Sequence, residues 1–441
     1  MRICCCLVYH NADIIGNSPG FNSFAFVLRQ FYSIRASHIG KYFDFMAKSR
    51  RTKQPPSPPA EDVIATSSDV AALARRFAGA EFLAVDTEFM REQTYYSQLC
   101  LIQISDGTHA AAVDPLAPGI DLQPLWDLMA DESITKVFHA ANQDLEIFFK
   151  EMGKLPLPLF DSQIAAMVLG HGDQVGYDRL VRAVLKQDID KSSRFTDWSR
   201  RPLSARQISY ALDDVIYLAE MYPKLLAQLE KKGRASWLDD ENAKLTNPAT
   251  YHTAPAEAWK RIKVRNMKPV QLRRMMHLAE WREAEAQRRD LPRNRILRDE
   301  TILDLAGTNP STTAEFGKIR NFPGGANGKL ATPVLALLRE VEAMPDSTLP
   351  EALSEGRTPK PPAAVMELLR VLLKHITDSE GIAPRLVASA DELEAIALDD
   401  EAPVRAQSGW RREVFGEAAL RLKHGKIALA ADGKRVRVIE L

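Results

Sequence analysis

Strand-forming patterns in this chain are crowded between residues 62 and 140 and nearly vanish beyond residue 250. Three apolar runs, FLAVDTEF (82–89), QLCLIQISD (98–106) and HAAAVDP (109–115), follow one another at hairpin spacing, with Gly107 at one turn. That spacing predicts an antiparallel meander. A short strand, DVIAT, and a helix from Ser67 to Phe77 precede it. After it the pattern alternates: DLQPLWDLMAD reads as a helix, ITKVFHA as a buried strand, and NQDLEIFFKEM as a helix with Asn142 at the cap position. DSQIAAMVLG, GYDRLVRAVLKQ and the long segment from Ser204 to Gly233 read as further helices. A meander followed by alternating elements predicts a three-layer α/β domain over residues 61–235.

The remainder reads as helical. PAEAWKRIK, PVQLRRMMHLAEWREAEAQRRD, DETILDLAG and TPVLALLREVEA predict a compact bundle over 250–340. After the proline-rich break RTPKPPA comes a second helical series over 360–441, similar enough to suggest a repeated module. It ends in two β-prone runs around Asp432-Gly433, a hairpin signal.

Formal net charge is zero, yet its distribution is uneven. Residues 61–230 hold 15 Lys+Arg against 26 Asp+Glu, and residues 258–300 hold 13 against 6. An acidic body joined to a basic helical segment suits a metal site beside a polyanion-binding module; differing solvated helix faces are the plain alternative. The four cysteines (Cys4, Cys5, Cys6 and Cys100) have neither disulfide-framework nor zinc-site spacing, which predicts a reduced, cytoplasmic protein. No run of about 18 apolar residues marks a membrane span. Residues 1–53 carry eight basic residues and two acids, Asp13 and Asp44. They read as translated upstream sequence with Met46 the natural start, in preference to an organelle transit peptide. A poorly ordered extension, with its proline-rich linker, is expected over 1–60.

Asp86 and Glu88 interrupt the first long apolar run at alternate positions, which places both on one face of a strand. Buried acids require compensation. A divalent cation with oxygen ligands supplies it, since no cysteine lies nearby in sequence to favour a softer metal. Asp144 falls in the first turn of the helix after ITKVFHA, where a dipole partner is the plain reading. In SYALDDVIYL, Tyr210 and Asp214 stand one helical turn apart on one face, with Asp213 rotated away.

Together, D-x-E on a strand, Asp at a helix start and Y-x-x-x-D on a later helix resemble the ribonuclease D family, within the DEDDy group of 3′–5′ exonucleases. The resemblance covers residues 62 to about 230, and the flanking runs VFHAANQDLEIF, FDSQIAAMVLG and DKSSRFTDWSRRPLSARQISYA agree with it. It implies a ribonuclease H-like three-layer domain with a mixed sheet, followed by all-α HRDC-type domains, one on each side of the proline break. By the same resemblance Asp86, Glu88, Asp144 and Asp214 ligate two divalent ions, Mg²⁺ or Mn²⁺, with Tyr210 orienting or helping to deprotonate the attacking water. The implied activity is release of nucleoside 5′-monophosphates from RNA 3′ ends, with tRNA precursors as substrates and no obligate protein partner.

Phe89 and His139 are candidates to meet the terminal nucleotide, against core packing and a satisfied hydrogen bond. Lys191, Arg194, Arg200 and Arg201 surround the loop before the tyrosine helix and are candidate phosphate contacts. In the helical tail Lys260, Arg261, Lys263, Arg265, Arg273 and Arg274 form the densest basic group, suited to salt-sensitive backbone contacts. Trp259, Trp281 and Trp410 read as core anchors, and the acidic second module as a poor RNA contact. Gln98 and Gln103 are given no role. A DNA exonuclease on the same scaffold and a non-catalytic RNA-binding protein are the competing readings.

Overall fold

The computed structural model describes residues 63–441 apart from 191–192, 195, 265 and 352–358. The extension expected over 1–60 and the candidates Lys191 and Arg265 lie outside the described residues. Six strands form one sheet: β1 (Val63–Ile64), β2 (Phe82–Met90), β3 (Gln98–Ser105), β4 (Ala110–Val113), β5 (Thr135–Phe138) and β6 (Leu159–Asp161), in the spatial order β1-β4-β3-β2-β5-β6. Strands β2, β3 and β4 are the antiparallel meander, while β1, β5 and β6 each add in parallel, so the sheet is mixed.

Side chains alternate across a pleated strand, and both faces here are covered. Leu83, Val85, Ile102 and Ile104 pack against α1 (Ser67–Phe77), α2 (Gln123–Met129) and α3 (Asn142–Met152) on one side. Ala84, Val137 and Phe160 pack against α4 (Ser162–Leu169), α5 (Tyr177–Leu185) and α6 (Ala205–Lys232) on the other. Helix α6 starts in a capping box between Ser204 and Gln207 and ends at Gly233 in the left-handed region. These are the three layers that the sequence pattern predicts.

Three local readings are corrected. DVIAT forms only a two-residue strand, and Asp161, read as the start of a helix, instead closes strand β6 (Leu159–Asp161), with α4 beginning at Ser162. Asn142 is the first helical residue rather than the cap of α3. The N–H groups of Ala140 and Ala141 instead donate to the Asp161 carboxylate at 3.1 and 2.9 Å. Asp161 also caps α4 through Gln163 N–H, at 2.8 Å. One carboxylate thus ties the start of α3 to the start of α4.

Beyond α7 (Asp239–Leu245), helices α8 (Pro269–Arg289), α9 (Arg293–Ile296), α10 (Asp299–Thr308) and α11 (Ala331–Glu342) gather around Leu272, Met275, Ile302, Phe316 and Leu338. Helices α12 (Ala363–Glu380), α13 (Pro384–Val387), α14 (Ala390–Leu398), α15 (Gly409–Arg411) and α16 (Glu417–Lys423) gather around Leu369, Ile396 and Phe415. The expected terminal hairpin is β7 (Ile427–Asp432) with β8 (Arg435–Glu440).

Both helical groups are fastened to the sheet-bearing part by buried polar contacts. The loop between β2 and β3 meets α8, where the Tyr95 hydroxyl donates to Glu283, a wholly buried carboxylate also gripped by Arg293. The N–H groups of Tyr95 and Tyr96 donate to Asp290 at 3.1 and 3.0 Å. On the second group Arg411, 1% exposed, pairs with Asp240 and Glu241, each at 2.6 Å. Trp410 stacks on Trp237 with centroids 4.0 Å apart, so it is the packing anchor expected of it. Gly170, at φ +83°, abuts Gly381 so closely that a Cβ would lie 2.3 Å from the Gly381 carbonyl oxygen.

Candidate active site

Asp86 and Glu88 project from one face of β2, just before a bulge between Glu88 and Phe89. Helix α6 packs over that face and presents Asp214, 9% exposed. One oxygen from each of Asp86, Glu88 and Asp214 lies within 4.8 Å of the others. Asp144 is outside that tight trio, yet its charge acts on Asp86 more strongly than that of Asp214 or Glu88. It comes from the first turn of α3, where Thr87, on the opposite face of β2 from Asp86, donates to it at 2.5 Å. Tyr210, one turn before Asp214, hydrogen-bonds the Asp214 carboxylate, while Tyr177 donates to the Asp214 backbone carbonyl.

Without cations these carboxyls resist ionisation. Burial, then repulsion by Asp144, Asp214 and Glu88, holds Asp86 well above the usual carboxylate range. Burial, then Asp214 and Asp144, pushes Glu88 up to about 9. Burial raises Asp144 and Asp214 to about 7, with the Thr87 and Tyr210 hydrogen bonds pulling the other way. The donor set is all oxygen, and ligands on opposite sides of a hard divalent ion lie ~4–5 Å apart. The Asp86, Glu88 and Asp214 spacing therefore fits such an ion, which would discharge their repulsion.

The other candidates separate. Arg194 is exposed and its charge favours ionised Glu88 and Asp214, which sets it beside the cluster. His139 is fixed by Ser162 at 2.9 Å and by edge contact with Tyr177. Phe89 packs against the core on the α3 side. Arg200 and Lys263 are exposed, Lys260 is paired with Glu257, and Arg261 donates to Thr253 at 2.9 Å. Three arginines prove structural instead. Arg201 holds Asp114 and the Cys100 carbonyl, each at 2.6 Å. Arg273, 4% exposed, donates to the carbonyls of Met344 and Pro345, and Arg274 grips Glu342 with two nitrogens.

Sequence reasoning missed Thr87, Tyr177 and Gln103. A threonine between two acids reads as ordinary strand filler, although its place on the opposite face was legible. Gln103 faces Asp86 across the β2–β3 ladder, is 0% exposed, and its amide has no hydrogen-bond partner among the described residues.

Residues 62–230 match the family model for a 3′–5′ exonuclease, and residues 271–338 match that for the HRDC domain. Ribonuclease D of Acidiphilium cryptum (strain JF-5) is 46% identical over 390 residues, covering 88% of this chain and 100% of that protein. Ribonuclease D of Jannaschia sp. (strain CCS1) is 47% identical over 383 residues, covering 86% and 99%. Among solved structures, Escherichia coli RNase D, described as an exoribonuclease involved in structured RNA processing, superposes with a TM-score of 0.71 at 31% identity, covering 82% of this chain and 98% of that one.

Proposed function

The chain belongs to the ribonuclease D family, and from that premise we propose that it trims RNA from the 3′ end, releasing nucleoside 5′-monophosphates. The observation that carries the reading is the convergence of Asp86, Glu88 and Asp214, with Asp144 acting on them from α3. In our reading these four hold two divalent ions, Mg²⁺ or Mn²⁺. Such ions supply Lewis-acid activation of water and charge neutralisation at the phosphate. Tyr210, braced on Asp214, orients the water against phosphorus. The bond to the 3′ oxygen of the preceding nucleotide breaks, and that oxygen leaves with a proton. Arg194 is placed to offset phosphate charge beside Glu88. Thr87 keeps one Asp144 oxygen engaged and so limits its rotation.

We take the functional parts to be 61–235 for catalysis, with 250–340 and 360–441 as two HRDC-type modules. The exposed Arg200, Arg261 and Lys263 are RNA-backbone contacts in this scheme. Its natural substrates are tRNA precursors, and it acts in the cytoplasm without an obligate protein partner. Among the described residues no helix is long and apolar enough to cross a membrane.

The test uses purified protein, 3′-labelled RNA, Mg²⁺ or Mn²⁺, and an Asp86→Asn variant. Labelled mononucleotide from the parent and none from the variant is expected. No release by the parent, or equal release by both, overturns the assignment. Matched DNA and RNA oligonucleotides test the substrate, since selection between them rests on contacts to the 2′-hydroxyl; equal rates would overturn the RNA preference.

A further inference from the structure

A cavity of about 400 Å³ opens between α3, the loop that joins β2 to β3, and the stretch from Thr250 to Arg261, with Gln287 and Arg293 closing it from the helical side. Asn142 and Glu146 line it, two residues to either side of Asp144 on α3, and Arg91 lines it three residues past Glu88. Residues two apart on a helix face different directions, so the cavity and the carboxylate cluster lie on different sides of α3. One helix width, ~10 Å, separates them.

The lining joins two chemistries. Arg91, Lys150, Arg261 and Arg293 line the cavity with one carboxylate, Glu146, which Arg91 meets at 3.1 Å; behind the lining Lys150 meets Glu151 at 3.0 Å and Arg293 is held by Glu283. Interleaved with them are the rings of Tyr95, Tyr96, Phe149 and Tyr251. Arg91, Lys150 and Arg261 are exposed, and Tyr96 and Tyr251 are half-buried, so charge and ring are both presented to solvent. The walls are already set. Tyr95 is fixed to Glu283, the Tyr251 hydroxyl donates to the Leu245 carbonyl at 2.8 Å, and the Tyr251 ring lies 6.2 Å from Phe149. Lys150 Nζ sits 5.4 Å above the Tyr96 ring. An acidic peptide would use the cations and leave the rings idle. A planar base joined to a phosphate uses both.

We propose that this cavity is a subsite for one nucleotide, its base against Tyr96 and Tyr251 and its phosphate among Arg91, Lys150 and Arg261, filled by the RNA strand upstream of the bond being cut. It rests on the exonuclease reading. The occupant is part of the substrate, so the subsite acts on long RNAs and has nothing to hold in a dinucleotide.

The test compares kcat/KM for an unstructured heptanucleotide with that for a dinucleotide, in the parent, in Tyr96→Ala, and in Lys150→Glu. Stacking and phosphate contacts of this kind predict a heptanucleotide-to-dinucleotide ratio about tenfold lower in each variant. An unchanged ratio, or equal loss on both substrates, overturns the proposal. A released 5′-monophosphate has the same chemistry, so inhibition by 5′-AMP is measured alongside. Inhibition that weakens about tenfold in the variants with an unchanged length ratio would assign the cavity to product and overturn the strand assignment. Mononucleotide release by the parent keeps the exonuclease reading standing whatever the variants do.

Discussion

Stripped of divalent ions, the protein should lose stability as pH rises from 5 to 7.5. In the metal-free fold burial raises every member of the cluster, with Glu88 at about 9 and Asp144 and Asp214 at about 7. An unfolded chain ionises the same groups near pH 4. Between those limits the folded state binds more protons than the unfolded state, so stability falls with pH, at ~1.4 kcal/mol per pH unit for each proton held. Coupled carboxyls titrate as a set. One net proton held across the window gives a loss of ~3 kcal/mol. Urea unfolding in EDTA measures it, followed by tryptophan fluorescence, since Trp198 lies 6.1 Å from Tyr210. The half-buried histidines His139 and His171 are shifted downward and work in the opposite sense below their ordinary range. An Asp86→Asn, Asp214→Asn double variant retains both histidines, so its difference from the parent isolates the carboxyls. Saturating Mg²⁺ should flatten the slope and add ~2.7 kcal/mol at a hundredfold excess over Kd. Metal-free stability that rises with pH relative to the double variant would refute the reasoning.

Three further outcomes follow from the geometry. Tyr210→Phe should lower kcat about a hundredfold with KM little changed, as for loss of a group that orients the reacting water; a KM effect alone in steady-state assays would argue against that role. Arg411→Met should cost ~1–2 kcal/mol in urea unfolding, because the Leu386 carbonyl loses its buried donor while the half-exposed Asp240 turns to solvent and Glu241 keeps Arg405 and Lys244; an unchanged midpoint would show that solvent replaces it. Gly170→Ala should cost ~2 kcal/mol or more, since the new methyl meets the Gly381 carbonyl and the backbone is left-handed; an unaltered Tm would contradict the observed abutment.

The acidic motif was legible because its logic is local. Asp86 and Glu88 share a face by the pleat, and Tyr210 and Asp214 by one helical turn. The three-layer order was legible from spacing, because each apolar run is long enough to declare its period. What stayed hidden depends on partners far along the chain. Thr87 reaches Asp144 across 57 residues, and Asp161 secures Ala140 and Ala141 from 20 or more away. Arg273 and Arg274 sit in the densest basic run yet serve carbonyls and a carboxylate some 70 residues later. Local sequence counts charge but does not show which charges the fold has already spent.

The knot of Tyr95, Glu283 and Arg293 bears on where digestion halts. It fixes the hairpin that continues the acid-bearing strand to the first helical bundle, so the cavity lined by Arg91, Tyr96, Tyr251 and Arg261 keeps one width. With that cavity as the proposed RNA subsite, a single strand would enter it, whereas a folded stem would be held at its mouth. Ragged precursors would then converge on ends of one length, with the stopping point dictated by the shape of the RNA and by no base in it.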